Sequence, residues 1–252
     1  MAVLGGLKGW QGWLPAMMIV VAVVALWEWV VAANDIPHWK LPAPSSIGSE
    51  LWTSRMMLLE HTWVTVEEVL IGLAVALASG VLLAWMINLS RTLERVIYPS
   101  VIASQTIPII VIAPLLLIWL GYGIQHKVIV VALISFFPIV VNTVDGLKSA
   151  DPDVINMLRT LGANRWQRFR YVLLPLVLPG VLIVSVAVMA FFFGDFVIPT
   201  ILGQTYPAVL AVEAVKDYTH YDLTNHPIGV AQALIIAVIG TVLVFLYMWL
   251  NR

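Results

Sequence analysis

The sequence contains no cysteine, and only 11% of its 252 residues are charged. The first absence excludes disulfides and thiolate metal sites. The second is hard to reconcile with a water-soluble domain, in which about 25% of residues carry charge. A net charge of −1 leaves no basic footprint, so no nucleic-acid partner is expected. The chain also lacks a Gly-x-x-x-x-Gly-Lys-Ser/Thr phosphate loop; Gly5-Gly6-Leu7-Lys8 and Gly146-Leu147-Lys148-Ser149 are too short and wrongly spaced. His38, His61, His126, His220 and His226 make no His-x-x-x-His pair, no metal site is expected, and all five are placed at a surface or interface. No Gly-x-Ser-x-Gly element occurs, so hydrolase chemistry has no support. These absences predict a chain that is not an enzyme and holds no cofactor of its own.

What is present is apolar: 61% of the residues are hydrophobic. One core of this length cannot hide that much apolar surface, which makes lipid the simplest solvent. A bilayer is crossed by about 20 consecutive apolar residues. Six such runs occur: Leu14 to Ala33, Thr62 to Leu89, Val96 to Leu120, Val128 to Leu147, Tyr171 to Ile198 and Ile228 to Leu250. Their length, and the lack of period-two alternation, predict helices. The first run follows Lys8 without a small-residue cleavage site and is expected to be retained as a span. The fold class expected is therefore an all-α membrane protein of six transmembrane helices, with residues 1–252 forming a single transmembrane domain.

Charge sets the orientation. With both termini on one side, that side carries Lys8, Arg91, Arg95, Lys148, Arg159, Arg165, Arg168, Arg170 and Arg252. The other carries Lys40, Arg55, Lys127 and Lys216. Nine against four predicts cytoplasmic termini in a multi-pass protein of the cell membrane. Trp10, Trp13, Trp39, Trp119 and Trp249 lie near span ends, where amphipathic rings settle.

Between the fourth and fifth spans lies the most informative segment, about residues 151–162. Asp151 suits an N-cap, Pro152 a first helical position, and Asp153 complements the positive helix end. Val154, Met157, Leu158 and Leu161 recur at helical spacing, and Gly162 stands where a left-handed stop is expected. A short amphipathic helix on the cytoplasmic face follows. Two readings stay open: a helix resting on headgroups, or one docked in a partner's groove.

Polar and kinked positions inside the spans mark a candidate pathway. Pro108, Pro114, Pro138, Pro175, Pro179 and Pro199 each remove a backbone hydrogen bond. Freed carbonyls are tolerated only against protein or a wet cavity, so spans three to five line a pathway or use the kinks for packing. Gln105 and Asn142 add polar groups there, Phe136, Phe137 and Trp119 aromatic surface, and Pro108 a kink. Asp195 either meets a solute or caps a broken helix. Glu28 is expected to snorkel at the end of span one, and one of Glu67 and Glu68 to face the pathway or a neighbouring helix.

The segment around Gly162 resembles the permease signature of ABC importers, which runs Glu-Ala-Ala, three residues, Gly, nine residues, then Ile-x-Leu-Pro. Here those positions fall on Asn156, Met157 and Leu158, then Gly162, then Val172, Leu174 and Pro175. The opening acid is replaced by Asn156. Leu41-Pro42-Ala43-Pro44-Ser45, Ser90 to Arg95, Ile107-Pro108, Ala113-Pro114-Leu115, Trp119 to Gly123, Phe137-Pro138 and Asn142-Thr143 are similar to stretches of the sulfonate, taurine and nitrate permease group. Gly194 to Gly203 and Pro227 to Ala231 are similar to polyamine-type permeases. The resemblance implies a coupling helix that seats on an ATP-binding subunit through Val154, Asn156, Met157, Leu158, Leu161, Gly162 and Arg165. It implies a dimer of ATPase subunits holding ATP and Mg, a second permease copy or a paralogue, an extracytoplasmic solute-binding protein, and transport by alternating access. The alternative from another class is an ATP-independent secondary transporter or channel, which needs paired ionisable residues at mid-membrane.

Overall fold

A computed structural model of the protein describes residues 14–203, 207–220 and 222–251. Lys8, Trp10, Trp13 and Arg252, which entered the orientation argument, lie outside them. All regular elements among the described residues are helical. In chain order they are α1 (Leu14–Ala33), α2 (Pro44–Thr53), α3 (Arg55–Leu89), α4 (Arg91–Ser104), α5 (Ile109–Leu120) and α6 (Gln125–Lys148). Then follow α7 (Pro152–Thr160), α8 (Arg165–Arg168), a π turn (Phe169–Leu173), α9 (Leu174–Gly194), α10 (Val197–Ile201), α11 (Leu210–Thr219) and α12 (His226–Leu250).

Among the described residues, four helical stretches are long and apolar enough to cross a membrane: α3, α6, the continuous run Arg165–Gly194, and α12. The third expected span is broken. Its halves, α4 and α5, meet at 90° and pass the length test only as a pair. The cause is local: Pro108 has no N–H to donate and pushes Ile107 out of the helical region. Pro108 itself sits extended at φ −63° and ψ 125° and starts α5. In α1 the described apolar stretch, Met17–Ala33, is shorter than the other spans.

The fifth expected span also ends early. Asp195 turns extended at φ −81° and ψ 116°, and its Oδ1 accepts from Val197 N at 3.0 Å to start α10. Pro175 follows directly on the π turn Phe169–Leu173 within the continuous run, and the bond its missing N–H removes falls in that turn, whose wider winding absorbs the offset.

The chain divides into two compact units. One comprises the residues up to Leu59 together with Glu213–Leu234. In it, the Glu28 carboxylate accepts from Ser45 N at 2.9 Å and Ser45 Oγ at 2.7 Å, holding the N-terminus of α2, where backbone N–H groups lack helical partners. Gly229 lets α12 approach α11, because a Cβ there would lie 2.8 Å from Tyr218 N.

The other unit comprises Glu60–Val212 with the chain from Ile235 onward. Its core joins Ala76, Ala84 and Ile87 of α3 to Ile139, Val140 and Val144 of α6 and to Val177 and Val181 of α9. Small residues allow the close approach that packing in lipid requires. A Cβ on Gly72 would lie 2.5 Å from Val131 Cβ, and one on Gly80 would lie 2.9 Å from Ile139 Cγ2. Outside these seams large apolar side chains such as Leu70, Val75 and Leu82 stay exposed on α3, as expected for a face that meets lipid.

Candidate coupling helix and solute pathway

Helix α7 is bounded by caps at both ends. The Asp151 carboxylate accepts from Asp153 N at 2.8 Å, and Pro152 opens the helix. At the other end Gly162 adopts φ +82°, a region costly for residues with a Cβ. Gly162 N donates to Arg159 O at 3.1 Å and Ala163 N to Leu158 O at 3.0 Å, the two crossed bonds of a Schellman stop. Asn164 and Gln167 then exchange side-chain and backbone bonds, each 2.8 Å, and start α8. The reversal at the end of α7 is therefore set by bonds between near neighbours.

The two faces of α7 differ. Ile155 and Leu158 are half-buried, and Ile155 packs on the core of the unit. Val154, Met157 and Leu161 are exposed, by 40%, 54% and 74%. The sequence grouped Leu158 with the outward residues; the structure turns it partly inward and adds Ile155, which the stripe had omitted. Asn156, Gly162 and Arg165 are exposed as well. Where the segment rejoins the bundle, Trp85, Trp166 and Phe169 pack ring to ring, with centroids 5.5 to 6.2 Å apart. Lys148, at the end of α6, pairs with Glu94 of α4 at 2.8 Å and lies 5.0 Å over the Tyr98 ring.

Five of the seven candidate pathway residues converge. A cavity of about 820 Å³ is lined by Gln105, Phe137, Asn142, Phe191 and Tyr247 among others. A second, of about 490 Å³, is lined by Ser104, Gln105, Pro108, Phe136 and Phe137. Gln105, Ile134 and Phe137 belong to both, and neither has a charged lining residue. Pro138 cannot donate to the Ile134 carbonyl one turn back, which leaves that carbonyl beside the cavities. Asn142 Nδ2 donates to Pro138 O at 2.8 Å and keeps its amide oxygen as an acceptor. Such walls offer amide hydrogen bonds and aromatic surface, with no fixed charge.

Trp119 and Asp195 stand apart from these cavities. Trp119 is 71% exposed near the end of α5. Asp195 lines a void of about 30 Å³ together with Glu68 and Lys127. Lys127 Nζ lies 2.9 Å from Glu68 Oε1, with the two side chains only 5% and 7% exposed. Asp195 Oδ2 is buried there with no hydrogen-bond partner among the described residues. Glu68 is thus the one of the Glu67–Glu68 pair that faces a neighbouring helix; its partner was not legible, because Lys127 reads in sequence as an outer-side cation. Glu67, next along the helix, is exposed.

Three histidines expected at a surface are buried: His61 (1% exposed), His126 (0%) and His226 (9%). His61 Nδ1 lies 2.8 Å from Ala208 O, and Thr65 Oγ1, on the same helix face, accepts from Leu210 N at 2.9 Å. They pin the segment entering α11 against α3. No cluster of potential metal ligands occurs among the described residues.

A family model for the binding-protein-dependent transport system inner membrane component matches residues 69–252, a stretch covering both the α7 segment and the cavities. The chain belongs to this family. Similar proteins include the formylaminopyrimidine transport permease protein of Halalkalibacterium halodurans, 36% identical over 69% of this chain and 70% of that one. The riboflavin transport system permease protein of Chloroflexus aurantiacus is 38% identical over 66% of this chain and 63% of that one. In fold, the permease resembles a chain of a bacterial alginate ABC transporter crystallised with an alginate-bound periplasmic protein. The TM-score is 0.64 at 16% identity, with 96% of this chain and 95% of that one covered. The permease is thus a multi-pass subunit of an ABC importer that forms its translocation pathway. Its buried ion pair does not support the ATP-independent alternative, because Lys127 lies in the first turn of α6 rather than at mid-span.

Proposed function

We propose that the permease is driven through α7 by a separate pair of ATPase subunits, which hold ATP and Mg, and that it passes an uncharged solute along Gln105, Phe137 and Asn142. α1 is the sixth span, both termini are cytoplasmic, and residues 1–252 act as one permease domain. A second permease, identical or paralogous, completes the pathway, and an extracytoplasmic binding protein delivers the solute. Trp119 and Asp195 lie outside the solute contacts in this reading.

One observation carries the coupling reading: Val154, Met157 and Leu161 form an exposed apolar face on a helix capped at both ends. Three apolar anchors at i, i+3 and i+7 suit a groove on a partner. A rigidly capped helix transmits displacement only if its partner holds it differently in the two states, so α7 must remain docked while the ATPases close. The solute reading rests on the chemistry of the cavity walls, which lack the guanidinium or ammonium a sulfonate needs and the carboxylate a polyamine needs. The two relatives named for nitrogen heterocycles agree with a planar solute held by amides and aromatic rings.

The test is Met157→Asp with Leu161→Asp. Both side chains are exposed, so folding is retained and any effect reads docking. Co-purification of the ATPase subunits and solute-stimulated ATP hydrolysis are expected to be lost together. Undiminished co-purification of the double variant would sink the coupling assignment.

A further inference from the structure

Behind α7 lies a recess of about 310 Å³. Arg159, Arg165 and Arg168 line it, with Asn88 beside them, and Leu89 and Leu173 supply apolar wall. No carboxylate is among its lining residues. The ion pairs of the described residues are Lys127–Glu68, Lys148–Glu94 and Lys216–Glu213, and none of the three arginines takes part. The one side-chain hydrogen bond among them is weak, from Arg168 Nε to Asn164 O at 3.4 Å. The nearest acids in sequence, Asp151 and Asp153, are engaged at the other end of α7, where Asp151 caps the helix through Asp153 N. Three guanidinium groups gathered on one small space repel each other unless an anion sits between them.

The recess and the docking face lie on different sides of α7. At 100° per residue, Ile155 and Arg159 point about 145° away from the mean direction of Val154, Met157 and Leu161. A partner that covers the outward face therefore leaves the recess open. Trp85 and Phe169 also line the recess, and Trp166 packs edge-on to Trp85 and tilted against Phe169; tryptophan rings settle readily at a membrane interface. Basic recesses between membrane helices at the cytoplasmic surface match the phosphates of anionic lipids, and the guanidinium fork binds two phosphate oxygens at once.

We propose that this recess binds the phosphate of an anionic phospholipid, whose acyl chains lie along the apolar wall at Leu89 and Leu173. The site rests on the cytoplasmic placement of α7 given above. It ties the position of α7 to the composition of the inner leaflet, because Arg159 belongs to α7 itself while Arg165 and Arg168 belong to the helix that follows the Gly162 turn. A bound phosphate bridges the two.

The test is native mass spectrometry of the assembled transporter with phosphatidylglycerol, phosphatidylcholine and inorganic phosphate as probes. The wild type is expected to retain phosphatidylglycerol over phosphatidylcholine, and Arg159→Gln with Arg168→Gln to lower retention about tenfold. Arg95→Gln, outside the recess, leaves retention unchanged. Should the glutamine pair fail to assemble, Arg159→Lys with Arg168→Lys keeps the charge, loses the fork, and is expected to weaken retention in part. Equal retention by wild type and the glutamine pair overturns the proposal. Displacement of the lipid by equimolar inorganic phosphate overturns it in favour of a free anion. Retention by the permease without its ATPase subunits but not by the assembled transporter overturns it in favour of an acidic segment of that partner. Sidedness is read separately, by labelling Asn156→Cys in this cysteine-free chain from either face. A wrong orientation and an absent lipid site are thus distinguishable.

Discussion

Replacing Lys127 by Met removes the ammonium that faces Glu68 across 2.9 Å, with both side chains almost fully shielded. A carboxylate then remains buried without its counter-charge. Breaking a buried pair in this way costs about 3–5 kcal/mol. At about 2–4 °C per kcal/mol for a chain of this size, that is a fall of roughly 6–20 °C in the unfolding midpoint. The mirror change, Glu68→Gln, leaves the ammonium without the carboxylate but with an alternative. Asp195 Oδ2 lines the same 30 Å³ void and has no hydrogen-bond partner among the described residues, so Lys127 turns toward it. Glu68→Gln should therefore cost less than Lys127→Met. In the pair Glu68→Leu with Lys127→Met no charge is stranded, and most of the loss returns, since apolar replacement of a whole buried pair is often neutral. The assay is thermal unfolding of the purified permease in detergent, followed by tryptophan fluorescence, with Lys127→Met, Glu68→Leu and their double variant forming a thermodynamic cycle. Additive losses in the double variant, or a Lys127→Met midpoint equal to the wild type, would refute the reasoning.

Two further outcomes follow from the packing and the cavities. Gly72→Ala places a methyl 2.5 Å from Val131 Cβ and 2.9 Å from the Val128 carbonyl, which cannot yield without separating α3 from α6. The expected loss is about 1–3 kcal/mol, whereas Gly48→Ala, with open space around it, is expected to gain up to about 1 kcal/mol from helix propensity; both are read by the same melts. Gln105→Leu with Asn142→Leu removes the amide groups from the cavity walls while keeping their volume. Uptake of a neutral heterocycle in proteoliposomes should fall about tenfold or more, as expected when two hydrogen bonds to solute are lost, with ATPase co-purification unchanged.

Much of α7 was legible in the sequence because its ends are local chemistry. Asp151 and the turn at Gly162 act through bonds between residues two to five positions apart, Pro152 through its fixed φ, and the observed helix Pro152–Thr160 lies inside the expected range. The apolar runs were legible for a similar reason: a stretch that cannot dissolve in water is recognisable without its neighbours. The break between α4 and α5 was visible only as a proline. Whether Pro108 would kink one helix or separate two at 90° depends on what each half packs against, and α5 packs on α6 through Ala113, Leu116 and Val130.

Composition and spacing thus determined by themselves an all-helical chain for lipid and a short helix bounded by Asp151 and Gly162. Tertiary structure alone decided that Lys127 reaches back across 59 residues to Glu68, that His61 and His126 are buried, that Leu158 turns partly inward, and that Gln105 and Asn142 line one cavity from which Trp119 is absent. Caps and apolar runs are short-range and are encoded in adjacent residues. Charge pairing, burial and cavity walls come from helices distant in sequence, and their partners exist only once the bundle has closed.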